Sequence, residues 1–104
     1  MKKGAWTIDM AKKFQWIKLT EYLPKTNGDY LLTVHERYSY GTDHEVDVVR
    51  TVCAFFTRFA SGAVKWTFRD YFNEEYDYDD EHEDYEEDFI KLTAWAEMPA
   101  PYTE

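Results

Sequence analysis

Five carboxylates come nearest to a chemical pattern in this chain. Asp77, Asp79, Glu81, Glu83 and Asp88 fall at positions 1, 3, 5, 7 and 12 of a calcium-loop spacing. Two substitutions spoil the match. His82 stands at the sixth position, where the sharp turn needs glycine, and Asp88 replaces the bidentate glutamate. The pattern reads as clustered carboxylates that attract divalent cations loosely, and no metal site is assigned. The histidines, His35, His44 and His82, lie in different segments and form no repeated ligand pair. Ser39 and Ser61 are the only serines, both in turn-like sequence without a nucleophile elbow. Cys53 is the single cysteine, which excludes an internal disulfide and a cysteine metal cluster. Its neighbours Val52 and Ala54 suggest a thiol buried in the core. No catalytic residue or cofactor is expected, and a cation-dependent hydrolase lacks a nucleophile and base to build on.

The stronger signal is the distribution of charge. The formal net charge is −9, yet residues 70–88 hold 12 acids and no lysine or arginine. The remaining sequence sets nine acids against all 12 bases, a surplus of about three positive charges. Such a segment repels phosphates, so direct nucleic-acid binding is not expected of it. Its acids also interleave with Tyr71, Phe72, Tyr76, Tyr78, Tyr85 and Phe89. Disordered acidic tails are usually poor in aromatics. One reading is a solvated, mobile loop. The other is an ordered flap: Tyr76, Tyr78 and Tyr85 pack at least partly on the body, while Asp77, Asp79, Asp80, Glu83, Asp84, Glu86 and Glu87 point outward to a basic protein.

The elements that would position these residues are strands. At 104 residues the chain supports one domain with one core. Residues 1–13 read as a loose arm and 14–104 as a small sheet domain carrying an acidic loop over 70–88. Asn27-Gly28-Asp29 is a turn that launches a strand over Tyr30–His35, and "ERYSYGTDHE" follows as a polar loop. Val46–Phe59 is rich in β-branched and aromatic residues. Val46, Val48, Val52, Ala54 and Phe56 share one face, interrupted by Arg50, and Val49, Cys53 and Phe55 share the other. Two apolar faces predict a central strand covered on both sides. After Ala60-Ser61-Gly62, Val64, Trp66 and Phe68 alternate with polar residues, and Phe89–Trp95 supplies a last strand. The expected fold is mainly β, or α+β: an antiparallel sheet of about four strands with an acidic insertion before the last. No apolar run is long enough for a signal-peptide core or a membrane span, so a cytoplasmic protein is expected.

The segments flanking this sheet resemble a known family. "WIKLTEYLPKTNGDYLLTV" (16–34) and "LTAWAEMPAPY" (92–102) are similar to the two ends of domain of unknown function family 551, short proteins found mostly in bacteriophages and prophages. Trp16, Ile17, Leu23 and Pro24 fit the opening; Thr93, Trp95, Met98, Pro99 and Pro101 fit the close. Ala94 stands where the family has a histidine and Glu97 where it has a proline. The resemblance implies an accessory protein of phage or mobile-element origin, with Trp16 and Trp95 as sheet-packing anchors. Combined with the acidic flap, it suggests a non-enzymatic protein that offers an acidic aromatic surface to a basic partner, possible roles being a nucleic-acid mimic or anti-defence inhibitor. The alternative is a structural or assembly protein whose acidic loop only confers solubility.

Overall fold

The computed structural model describes residues 15–40, 44–79 and 88–99. The arm expected over 1–13 lies outside them. Six strands follow one another: β1 (Ile17–Lys18), β2 (Gly28–Tyr40), β3 (His44–Arg58), β4 (Val64–Arg69), β5 (Glu75–Asp79) and β6 (Phe89–Glu97). They form one antiparallel sheet in the order β1-β6-β2-β3-β4-β5. The described residues contain no helix, so the fold is all-β, with six strands where about four were expected. The additional strands are β1 and β5. The second of these falls inside the stretch expected to be an acidic loop.

The expected polar loop after His35 is also largely strand. β2 runs to Tyr40 and pairs with β3 residue for residue, from Gly28 opposite Phe56 to Tyr40 opposite His44. The β3–β4 turn closes with Phe59 N–H donating to Ala63 O at 2.8 Å and Gly62 N–H to Phe59 O at 2.9 Å. Gly62 takes φ 95°, a conformation that a side chain would strain.

One face of the sheet carries the core: Leu32, Val34, Ala54, Phe56, Trp66, Phe68, Ile90 and Trp95 are buried together. Tyr76 and Tyr78 of β5 pack against them. A bulge keeps β6 in phase. Val34 faces Leu92 but Thr33 faces Ala94, so Thr93 is the extra residue. It carries the inward series from Ile90 and Leu92 to Trp95 across an odd step. The sheet must curl, because Leu92 of β6 and Tyr78 of β5 line the same cleft. Four strand spacings would hold them about 19 Å apart in a flat sheet. Tyr30 bridges the curve, its ring 5.2 Å from Trp95, 6.5 Å from Phe56 and 6.4 Å from Trp66.

The β1–β2 connector lies over this concave face. Leu19 N–H donates to Thr93 O at 3.0 Å, and the Trp95 indole N–H to Tyr22 O at 2.8 Å. Further along, Arg58 donates to Pro24 O at 3.0 Å, and its own N–H to Asn27 Oδ1 at 2.8 Å. Leu19 and Leu23 pack on the core, and Pro24 is fully buried.

The opposite face corrects two expectations. Val49 is 66% exposed and Phe55 44%, and Cys53 is exposed as well. β3 is therefore central but covered on one side only, and Cys53 is not a core residue. Alternation of apolar residues in both phases suggested a second layer; the curl spends the available covering on the concave side. Of the two expected tryptophan anchors, Trp95 is buried at 4% exposure while Trp16 is 42% exposed. The two segments flanking the sheet do meet, with Ile17 opposite Trp95.

Candidate interaction surface

The acidic segment starts from a built turn. The Asp70 carboxylate accepts the N–H groups of Phe72 and Glu74 at 2.9 Å each, and Asn73 N–H donates to Asp70 O at 2.9 Å. Asn73 adopts φ 62°, a left-handed geometry that asparagine tolerates better than most residues. Arg69 donates to Asn73 O at 3.0 Å. The turn is pinned from below by Glu36, whose Oε1 accepts Tyr71 N–H at 2.8 Å.

Glu36 is the one buried charged or polar side chain of the core face among the described residues, at 0% exposure. Its Oε1 also accepts the Tyr38 hydroxyl at 2.7 Å, and its Oε2 accepts Arg50 Nε–H at 2.6 Å. Arg50 donates further to Arg69 O at 2.9 Å. A buried carboxylate needs such compensation. Burial first, and then the bond to Glu36 and the Glu36 and Asp70 charges, push the Tyr38 phenol far above its ordinary range; Arg50 opposes this only in part. The node ties β2, β3 and the β4–β5 turn together. With the carboxylate engaged by three donors, its work is structural.

Above the node sits an aromatic group. Tyr38 lies 4.8 Å from Phe72 and 6.3 Å from Tyr71, centroid to centroid, and Tyr71 and Phe72 are each 45% exposed. At the far end of the acidic segment, Ser39 N–H donates to Asp88 Oδ1 at 2.9 Å. Both ends of the segment are thus fastened to β2, one at Glu36 and the other at Ser39.

β5 sorts its side chains by type. Tyr76 and Tyr78 face the core, with the Tyr76 ring tilted against Phe68 at 5.6 Å, while Glu75, Asp77 and Asp79 are exposed. Asp77 accepts the Thr67 hydroxyl at 2.9 Å and lies 3.8 Å from Lys65 Nζ. Successive outward carboxylates on a strand stand about 6.7 Å apart. Of the residues expected to face a partner, Asp77, Asp79, Tyr76 and Tyr78 have the orientation anticipated for an ordered flap. Asp80, Glu83, Asp84, Tyr85, Glu86 and Glu87 lie outside the described residues, as do Glu81 and His82 of the calcium-loop spacing. An extended strand carries Asp77 and Asp79 along an edge, which does not wrap them around an ion, and among the described residues no three ligating side chains converge.

Among the described residues, His35 and Cys53 stay apart. His35 Nε2 is 2.6 Å from Asp47 Oδ1, with the ring edge-on to Phe89 at 5.1 Å. His35 faces Val49 across the sheet. Cys53 lies four residues from Val49, about 13 Å along a strand and beyond hydrogen-bond reach of that histidine. Sequence reasoning missed the Glu36 node and the Asp70 turn. The signal present was one of phase: Glu36 continues the Leu32–Val34 series, and Arg50 interrupts the inward face of the neighbouring strand.

No helix among the described residues is long and apolar enough to cross a membrane. Compared with protein-family models, curated proteins and solved structures, the chain matches none.

Proposed function

We propose that this chain is a non-enzymatic, cytoplasmic accessory protein, of phage or mobile-element origin, that presents its acidic aromatic surface to a basic protein in place of nucleic acid. The observation that carries this reading is the sorting on β5: tyrosines packed inward, carboxylates held outward on the terminal strand of the sheet. A fixed array loses less entropy on binding than a mobile tail. Its charge accelerates encounter with a basic groove and makes it salt-dependent. The origin rests on the residues at 16–34 and 92–102 quoted above. The exposed Tyr71 and Phe72 add the rigid aromatic area that interfaces favour.

A second reading has its own observation. Charged residues on a terminal strand discourage edge-to-edge association of sheets, so the same acids suit a structural or assembly protein that only needs solubility. Affinity capture from a host lysate separates the two, with wild type beside the triple variant Glu75→Gln, Asp77→Asn, Asp79→Asn. The proposal expects a basic nucleic-acid-binding protein on wild type, lost from the variant, released by added duplex DNA and weakened steeply between 10 and 150 mM salt, as the screening length falls from about 30 to about 8 Å. The same proteins on both baits would favour the solubilising reading.

A further inference from the structure

We propose that the open half of β3 pairs with the same strand of a second copy, joining two chains edge to edge about a twofold axis. β2 covers one edge of β3 from His44 onward, but β4 covers the other only over Phe55–Arg58. From Glu45 to Cys53 no strand among the described residues lies on the β4 side. Arg58 N–H turns to Asn27 on the β2 side and Phe59 N–H to Ala63 on the β4 side. These directions alternate along a strand. Glu45, Asp47, Val49 and Thr51 therefore aim their N–H and C=O groups at the open edge. The stretch is rich in valine (Val46, Val48, Val49 and Val52) and holds neither proline nor lysine. Val49, at 66%, is the most exposed of the large apolar residues described. An edge of this kind is a template for another strand.

The strand is complementary to itself in one register. Two copies related by a twofold axis meet antiparallel, and residues that oppose each other share a face. Centred on Asp47 or on Arg50, the pairing sets that charge against itself; centred on Val46, it sets Glu45 against Asp47. Centred on Val49, it brings His44 to Ala54 and drives the preceding chain into Thr67, which already faces Phe55. Centres further along meet β4 or shorten the pairing, so Val48 remains. There Val48 meets Val48, Asp47 meets Val49, Glu45 meets Thr51 and Val46 meets Arg50, with no like charges opposed. The outward residues exchange about eight main-chain hydrogen bonds. β5 stands at the far end of the strand order and takes no part in the pairing.

Sedimentation equilibrium of the full chain tests the pairing at about 150 mM salt, where repulsion between chains of net charge −9 is screened. It should give a dimer mass that falls to the monomer on dilution. Val49→Pro removes an outward N–H and no bond to β2, so it should yield the monomer mass with the β-sheet circular-dichroism spectrum retained. Thr51→Glu, which sets a glutamate against Glu45, serves the same purpose if Val49→Pro does not fold. Val48→Cys combined with Cys53→Ser should form a disulfide-linked dimer on mild oxidation, because directly opposed residues of this kind lie about 4.5 Å apart. Cys53 stands about 34 Å from its copy in this register, so the wild type should not cross-link. A monomer at every concentration would overturn the proposal and leave the edge to a strand of another protein. A dimer that survives both Val49→Pro and Thr51→Glu would overturn β3 as the interface. Cross-linking of the wild type through Cys53, with none in the Val48→Cys variant, would overturn the register.

Discussion

Glu36 and the carboxylates of β5 are the same functional group in opposite settings. Glu36 is fully buried and holds three donors from three parts of the chain: the Tyr38 hydroxyl, Arg50 and the Tyr71 backbone. Glu75, Asp77 and Asp79 stand exposed along the terminal strand. A carboxylate removed from water must be compensated inside the protein and so fixes whatever compensates it. One left in water is solvated already and fixes far less. The acidic segment needs both kinds: the buried one anchors the turn from which the exposed ones are displayed.

The largest test of this contrast removes the buried group. Glu36→Ala leaves Arg50 without its partner and the Tyr71 N–H without its acceptor. Urea denaturation should show a loss of about 3–5 kcal/mol, and amide exchange at Tyr71 should accelerate. Adding Arg50→Met to Glu36→Met should recover much of that loss, since well-packed apolar replacements for buried ion pairs are often neutral or better. A Glu36→Ala loss below about 1 kcal/mol, the range of an exposed pair, would break the contrast.

Tyr38 gives a smaller effect with a distinctive pH signature. Its phenol is raised well above its ordinary value by burial and by the carboxylate it donates to. The folded state therefore keeps the proton when the unfolded chain gives it up near pH 10. The stabilisation is fully present below about pH 10 and is lost as pH rises above it. Tyr38→Phe should cost about 1–2 kcal/mol at neutral pH and flatten the decline in stability measured from pH 9 to 11. An unchanged decline would place the phenol's titration elsewhere.

The same contrast explains what could be read from the residues alone. Val64, Trp66 and Phe68 declared β4 through strict alternation, and Gly62 marked the turn before it. β5 has equally strict alternation in Glu75-Tyr76-Asp77-Tyr78-Asp79, but its charge argued for a loop. Local pattern was the better guide, because pairing with β4 and tyrosine burial outweigh repulsion among acids that remain in water. Glu36 was hidden for the converse reason: a glutamate seldom reaches a core, and only its phase with Leu32 and Val34, set beside Arg50, hinted at a buried pair. Phe55 and Phe56 mark the limit of periodicity. Adjacent and chemically identical, they end 44% and 0% exposed. Alternation separates them onto two faces, but curvature and the course of the connector decide which face is covered.

The smallest effect lies at the exposed end of the comparison. Asp77 accepts one hydroxyl from Thr67 and approaches Lys65 at 3.8 Å, with the aspartate side chain 48% exposed. Water already solvates both charges, so the pair gains little from contact and gives up side-chain freedom to make it. Asp77→Asn should therefore change stability by no more than about 0.5–1 kcal/mol. It retains an oxygen to accept the Thr67 hydroxyl and removes repulsion from Glu75 and Asp79, two residues away on either side. The residual effect should shrink as salt is raised from 10 to 150 mM, because an exposed pair is screened. Paired urea titrations at the two salt concentrations measure it. A salt-independent loss as large as that of Glu36→Ala would mean that Asp77 holds the sheet together and is not merely displayed by it.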